Sequence, residues 1–152
     1  MTYHHLGEVV HRQSLKYRSK TALKYQDPDG KWVDMSWRTF AATTTKAAQA
    51  MAEMGVNPGD NLGVYSQNME KYLITDFAAY ANRAVMVPMY ATASPAQVSY
   101  IVRDAAIRIL FVGEQFQYNN AWKVQQENNP LEQLVIFDRQ VVKKAEDTTS
   151  VY

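Results

Sequence analysis

The side chains that could do chemistry are few. Cysteine is absent from the 152 residues, which removes disulfides, iron–sulfur clusters, thiolate zinc sites and cysteine nucleophiles together. The histidines are His4, His5 and His11. His4 and His11 lie two helical turns apart, longer than the i, i+4 pairing by which a helix holds a metal. Glu8 is the one acidic residue spaced to join them, so solvated helix residues describe them better than ligands. Asp27 and Asp29 could pass for paired carboxylates, but they stand in Asp27-Pro28-Asp29-Gly30. There proline presets one dihedral, glycine accepts a positive one, and aspartate is a common turn residue. Neither G-x-G-x-x-G nor G-x-x-x-x-G-K-[ST] occurs, so no phosphate loop of those kinds is encoded. Asn68 could cap a helix whose free amides hold an anion, although an ordinary N-cap accounts for it as well. These residues assign no catalytic, cofactor-binding or metal-ligating position.

Composition narrows the classes further. With 16 basic against 15 acidic residues the formal net charge is +1, not the basic footprint of a nucleic-acid binder. The ten tyrosines and three tryptophans are scattered and no basic stripe interleaves with them, so packing suits them better than base stacking. Arg12, Lys16, Arg18, Lys20 and Lys24 form a basic face that could touch an anionic membrane surface or simply stay solvated. The opening residues lack the charged-then-apolar order of a secretory signal. The apolar run Ala84–Met89 is far too short to span a bilayer. A cytoplasmic chain with enough apolar residues (47%) for a core is expected, with peripheral contact at the inner membrane face left open.

The elements that would position any site alternate. A helix over 3–17 is expected, then strands at 21–26 and 31–35 joined by the Asp27–Gly30 turn. Ser36 suits the N-cap of a long helix whose face carries Phe40, Thr44, Ala47, Ala48 and Met51. Strands follow at 62–65, 84–89, 107–112 and 134–137, with helices between them at 68–81, from Ser94 onward and at 114–128. Continuous apolar residues in 84–89 predict burial on both faces. Ser94-Pro95-Ala96-Gln97 is a capping box. Phe40, Ala47, Met51, Val85, Val87, Ile101 and Ile109 are the predicted core. Single helices between strands imply an α/β fold, a parallel sheet with helices on both faces and the hairpin at its margin. The tail from Lys143 has no apolar period and is expected to be loose.

Several strings, taken in order, carry a resemblance. Thr21-Ala22-Leu23-Lys24-Tyr25 with Met35-Ser36-Trp37-Arg38-Thr39-Phe40 resembles the "TAL.Y…SWREF" opening of AMP-forming acyl-CoA synthetases. Met54–Val64 is similar to their "LGV.PGDRVA" segment, Ser66–Glu70 to "S.NRPEW" and Ala84–Tyr90 to "GAV.VP.Y". Pro95–Val112 resembles their "SPEQV.YIL.DS.ARVLFV" unit. The hairpin, the Tyr90–Pro95 run and Leu134–Asp138 look most like bacterial long-chain fatty-acid–CoA ligases. Departures are Arg83-Ala84 for Ala-Gly or Asn-Gly, Met69 for Arg and Tyr72 for Trp.

The resemblance implies that residues 1–152 are the N-terminal segment of a large adenylation domain, an incomplete part of the adenylate-forming fold. The parent would join a fatty acid to ATP, with Mg²⁺ neutralising the phosphates, and then pass the acyl group to CoA. The family's Ser/Thr/Gly-rich phosphate loop, Tyr-Gly-x-Thr-Glu motif, ribose-binding aspartate and catalytic lysine match nothing here, so no catalytic residue carries over and the segment alone is expected to be inactive. Its implied partners are the rest of the ligase, a fatty acid and CoA. An uncovered face and an open sheet edge imply self-association. The alternatives are a stand-alone interaction or regulatory module, and a small flavodoxin-like ligand-binding domain, which the missing phosphate loop disfavours.

Overall fold

The computed structural model describes residues 5–127 and 129–152. It divides into two compact units, Met1–Gly59 with Met69–Ala84, and Asp60–Asn68 with Val85–Tyr152.

The first unit holds a 3-10 turn (Leu6–Glu8), α1 (Val9–Tyr17), the strands β1 (Thr21–Gln26) and β2 (Trp32–Ser36), α2 (Trp37–Glu53) and α3 (Glu70–Ala81). β1 and β2 pair antiparallel through the predicted turn. Asp27 Oδ1 accepts from the amides of Asp29 at 3.0 Å and Lys31 at 2.9 Å, and Gly30 takes φ +78°, a backbone state that costs glycine nothing. Asp27 is thus a turn staple, and the apparent carboxylate pair does no more than close the hairpin. Ser36 caps α2 as expected, its Oγ accepting from the Thr39 amide at 3.1 Å. Val10, Phe40 and Ile74 make the core, and Phe40 meets Phe77 edge-on at 5.8 Å. Met51 is buried as predicted, while Ala47 is only partly so. The expected single helix over 3–17 is instead a 3-10 turn leading into α1, and residues 1–4 lie outside the described residues. Asn68 does not cap α3. The N-cap is Met69, extended and without a side-chain hydrogen bond, so the backbone alone starts this helix. Among the departures noted above, the left-handed residue is Arg83, at φ +58°, rather than Ala84.

The second unit is a parallel sheet in the order β4-β3-β5-β6. Its strands are β3 (Asn61–Tyr65), β4 (Val85–Met89), β5 (Ile109–Val112) and β6 (Gln133–Ile136), with helices α4 (Pro95–Asp104) and α5 (Gln115–Gln125). The register sets Gly63 beside Leu110 and Leu110 beside Leu134. Alternation along the strands then turns Tyr65, Leu110, Val112, Leu134 and Ile136 to one face, where they pack with Val98 and Val102 of α4 and Tyr118, Ala121 and Val124 of α5. Both halves of the Ser94 capping box form: Ser94 Oγ accepts from the Gln97 amide at 3.3 Å, and Gln97 Oε1 accepts from the Ser94 amide at 2.8 Å.

Three expectations about this unit are corrected. The strands buried on both faces are β3 and β5, whereas β4 is an edge strand with Val85 half exposed. Val87 and Ile101 only flank the core, while Ile109 lies within it. Pro88 suits the edge, since Val85 donates inward to Asp60 O at 2.8 Å and alternation aims position 88, which has no N–H, outward. The tail is not loose. Val151 forms a parallel bridge with Val135, donating to Leu134 O at 3.0 Å and accepting from the Ile136 amide at 2.7 Å. The outer edge of β6, expected to be open, is therefore occupied by the chain itself.

Candidate functional site

Open α/β sheets bind ligands outside the carboxyl ends of their strands. Here that edge is made by Ser66-Gln67 after β3, Tyr90–Ser94 after β4 and Gly113-Glu114 after β5. The carbonyl of Tyr65 accepts from the Gly113 amide at 3.0 Å, which joins the first and third loops. A Cβ on Gly113 would stand 2.6 Å from Ser66 Oγ and 3.1 Å from Ser66 Cα, so the loops meet only because residue 113 has no side chain. Beyond that contact Gln67 Nε2 donates to Glu114 Oε2 at 3.0 Å.

The β4 loop is held from beneath by helix α5. Tyr65 Oη donates to Ala93 O at 2.6 Å and accepts from Asn120 Nδ2 at 3.0 Å. Gln117 Nε2 donates to Ala91 O at 2.9 Å, while its Oε1 accepts from the Glu114 amide at 3.0 Å. Tyr65, Gln117 and Asn120 are buried, and burial pushes the Tyr65 phenol above its ordinary value despite the Asn120 bond, so it works as a neutral donor. Buried networks of this kind fix a single geometry when every member is satisfied. None of these residues stands out in the sequence as a site candidate. The signal available was two amide side chains, Gln117 and Asn120, sharing the helix face that buries Tyr118, Ala121 and Val124.

Among the described residues the edge shows no catalytic set. Its exposed side chains are Gln67, Tyr90, Thr92, Ser94 and Glu114; the Ser94 hydroxyl caps α4, and neither hydroxyl stands paired with a base among the described residues. Glu114 at the start of α5 opposes an anion there. Of the histidines, His4 lies outside the described residues. His5 stands 3.5 Å from Glu8 Oε1, and His11 is exposed on α1. Among the described residues no group of three His, Cys, Asp or Glu converges. The described residues therefore do not fit a Mg²⁺ site built from protein carboxylates alone. None of the described helices is long and apolar enough to cross a membrane.

A sheet edge of this kind, in a parallel α/β unit with a hairpin-bearing helical unit, is the frame of adenylate-forming enzymes. The chain belongs to the AMP-binding enzyme family, whose model matches residues 10–151. It is 35% identical over 83 residues to the long-chain-fatty-acid–CoA ligase FadD15 of Mycobacterium tuberculosis, a match covering 55% of this chain and 14% of that one. In structure it is similar to coronafacic acid ligase from Pectobacterium brasiliense, with a TM-score of 0.82 at 15% identity, covering 97% of this chain and 28% of that chain. A long-chain-fatty-acid-CoA ligase (FadD1) from Archaeoglobus fulgidus superposes with a TM-score of 0.78 at 23% identity, covering 87% of this chain and 27% of that chain. The matched residues thus span about one seventh of the length of that mycobacterial ligase.

Proposed function

We propose that this chain is the N-terminal segment of the large domain of an AMP-forming ligase that activates long-chain fatty acids with ATP and passes them to CoA. The family match over residues 10–151 carries the reading, and the likeness to FadD15 supports the substrate class. Within the whole protein the segment supplies a rigid wall rather than reacting groups. ATP, Mg²⁺ and CoA are cofactors and substrates of that whole protein, and its remainder is the first partner. The chain alone makes no acyl-adenylate, because the edge described above carries no phosphate-binding loop and no lysine. Fatty-acid-dependent exchange of pyrophosphate into ATP tests this. Exchange by the purified chain above a blank would refute it, and exchange should appear when a family C-terminal portion is joined to it.

The isolated chain should self-associate through exposed apolar side chains of the second unit, Val85, Tyr90, Phe116 and Val142. Association edge to edge is disfavoured by Pro88 on β4 and by Val151 on β6. A single monomeric boundary in sedimentation velocity across a wide concentration range would overturn this.

A further inference from the structure

We propose that the groove between the 3-10 turn (Leu6–Glu8) and the end of α3 binds a fatty carboxylate, its hydrocarbon tail in the groove and its charged head on Arg83. The groove lies wholly in the first unit and holds about 420 Å³, lined by His5, Leu6, Tyr80, Arg83 and Ala84. A close approach builds it. A Cβ on Gly7 would stand 2.8 Å from Tyr80 O and 2.9 Å from Ala81 Cα, so the turn lies against α3 only because residue 7 has no side chain. Leu6 is left 61% exposed. The lining is mostly hydrocarbon, and such a surface gains when an apolar tail covers it.

Arg83 sets the place of the anion. Asn82 ends α3. Beyond it the Arg83 amide donates to Tyr80 O at 3.1 Å and the Ala84 amide to Ala79 O at 3.0 Å, a helix ending that favours glycine at residue 83. Arginine stands there instead, at φ +58°, a state that glycine adopts freely and an L side chain does not. The Gly59 amide donates to the Arg83 carbonyl at 2.9 Å. Residues kept in such states cluster at ligand sites. Arg83 is exposed, and no carboxylate pairs with it among the described residues. His5 stands 3.5 Å from Glu8 Oε1, and Arg12 Nε holds Glu8 Oε2 at 2.8 Å, so Arg83 is the unpaired cation of the groove. One unpaired guanidinium beside a hydrocarbon floor is complementary to a monocarboxylate with a tail. The choice of a fatty tail rests on the function proposed above. Binding needs neither ATP nor CoA, so the two readings can fail separately.

Calorimetric titration of the 152-residue chain with laurate, below its micellar range, decides, with NMR amide shifts to locate the site. Laurate should bind and should move the amides of Leu6 and Ala84. Dodecanol, the same tail without a charge, should bind roughly tenfold more weakly, the worth of a charge-assisted hydrogen bond. Arg83→Gly should weaken laurate by the same factor, roughly tenfold. It should leave dodecanol unchanged and melt no lower than the parent, because glycine relieves the backbone as the charge goes. Leu6→Ala should weaken both ligands roughly threefold. The proposal is overturned if laurate does not bind, if dodecanol binds as tightly, or if Arg83→Gly leaves laurate affinity unchanged. Shifts confined to Tyr90–Ser94 and Glu114 would overturn it too, because laurate would then sit at the sheet edge of the second unit.

Discussion

Replacing Tyr118 by phenylalanine tests whether the C-terminal tail is a clasped part of the fold. The ring is fully buried, and its hydroxyl does two things. It donates to Asp147 Oδ2 at 2.7 Å and accepts from the Lys144 amide at 2.7 Å. Asp147 Oδ1 in turn accepts from the amides of Thr149 at 3.2 Å and Ser150 at 2.9 Å, which sets up Val151 beside β6. Phenylalanine keeps the ring and its packing, so the lost hydroxyl is the whole perturbation. One lost bond has a charged acceptor, a class worth about 1.5–3 kcal/mol, and a stranded amide adds roughly 1 kcal/mol more. A total near 2–4 kcal/mol should lower a urea midpoint by roughly 1–2 M. If the tail opens alone, hydrogen exchange will show it: the amides of Val151 and Ile136 should lose protection while those of β3 and β5 keep theirs. The pH dependence carries a sign. Burial works against ionising Asp147, but its hydrogen bonds outweigh burial and hold the carboxyl below its usual range. Its contribution is therefore present above the unfolded value of about 4 and is lost as pH falls through the lower folded one. The phenylalanine variant should show a shallower acid limb. An unchanged midpoint with Val151 equally protected would refute the clasp.

Two further outcomes follow from the first unit. Phe40→Ala should cost roughly 3–5 kcal/mol in denaturant unfolding, because it removes a buried ring packed between Trp37 and Phe77 and leaves a cavity. A midpoint that does not move would mean that the face of α2 has been misassigned. Burial pushes the Asp76 carboxyl up to about 6, so its ionisation opposes folding. The stability that its protonated form preserves is full below the unfolded value of about 4 and is lost as pH rises through about 6. Asp76→Asn should remove that loss and gain about 1 kcal/mol at neutral pH after allowance for solvent screening of a partly buried group. An equal pH dependence of the two proteins would dismiss it.

What was legible in the chain is what is local. The Asp27–Gly30 turn, the Ser36 cap and the Ser94–Gln97 box each rest on bonds between residues two to four apart, and short-range chemistry writes itself into short strings. The rank of a strand in its sheet does not. Val85-Met86-Val87 reads as doubly buried because nothing within those residues says that only β3 lies alongside. Pro88 was the one available hint, since a central strand tolerates proline poorly. The tail was illegible for the same reason: Tyr118 and Asp147 are 29 positions apart, with no period to link them. Asp147-Thr148-Thr149-Ser150 announces only a turn.

The carboxyl edge shows the same division, and it bears on what the segment is for. Its loops are polar and short, and the side chains that hold them, Tyr65, Gln117 and Asn120, lie underneath on β3 and α5. Each spends its hydrogen bonds on protein groups, two of them on the carbonyls of Ala91 and Ala93. A residue so occupied cannot also serve a substrate. A group that must act on a ligand is left free or poised, whereas these are engaged with protein groups, and a buried network resists movement because opening it strands several polar atoms together. The edge is thus built to keep the β4 loop in one place.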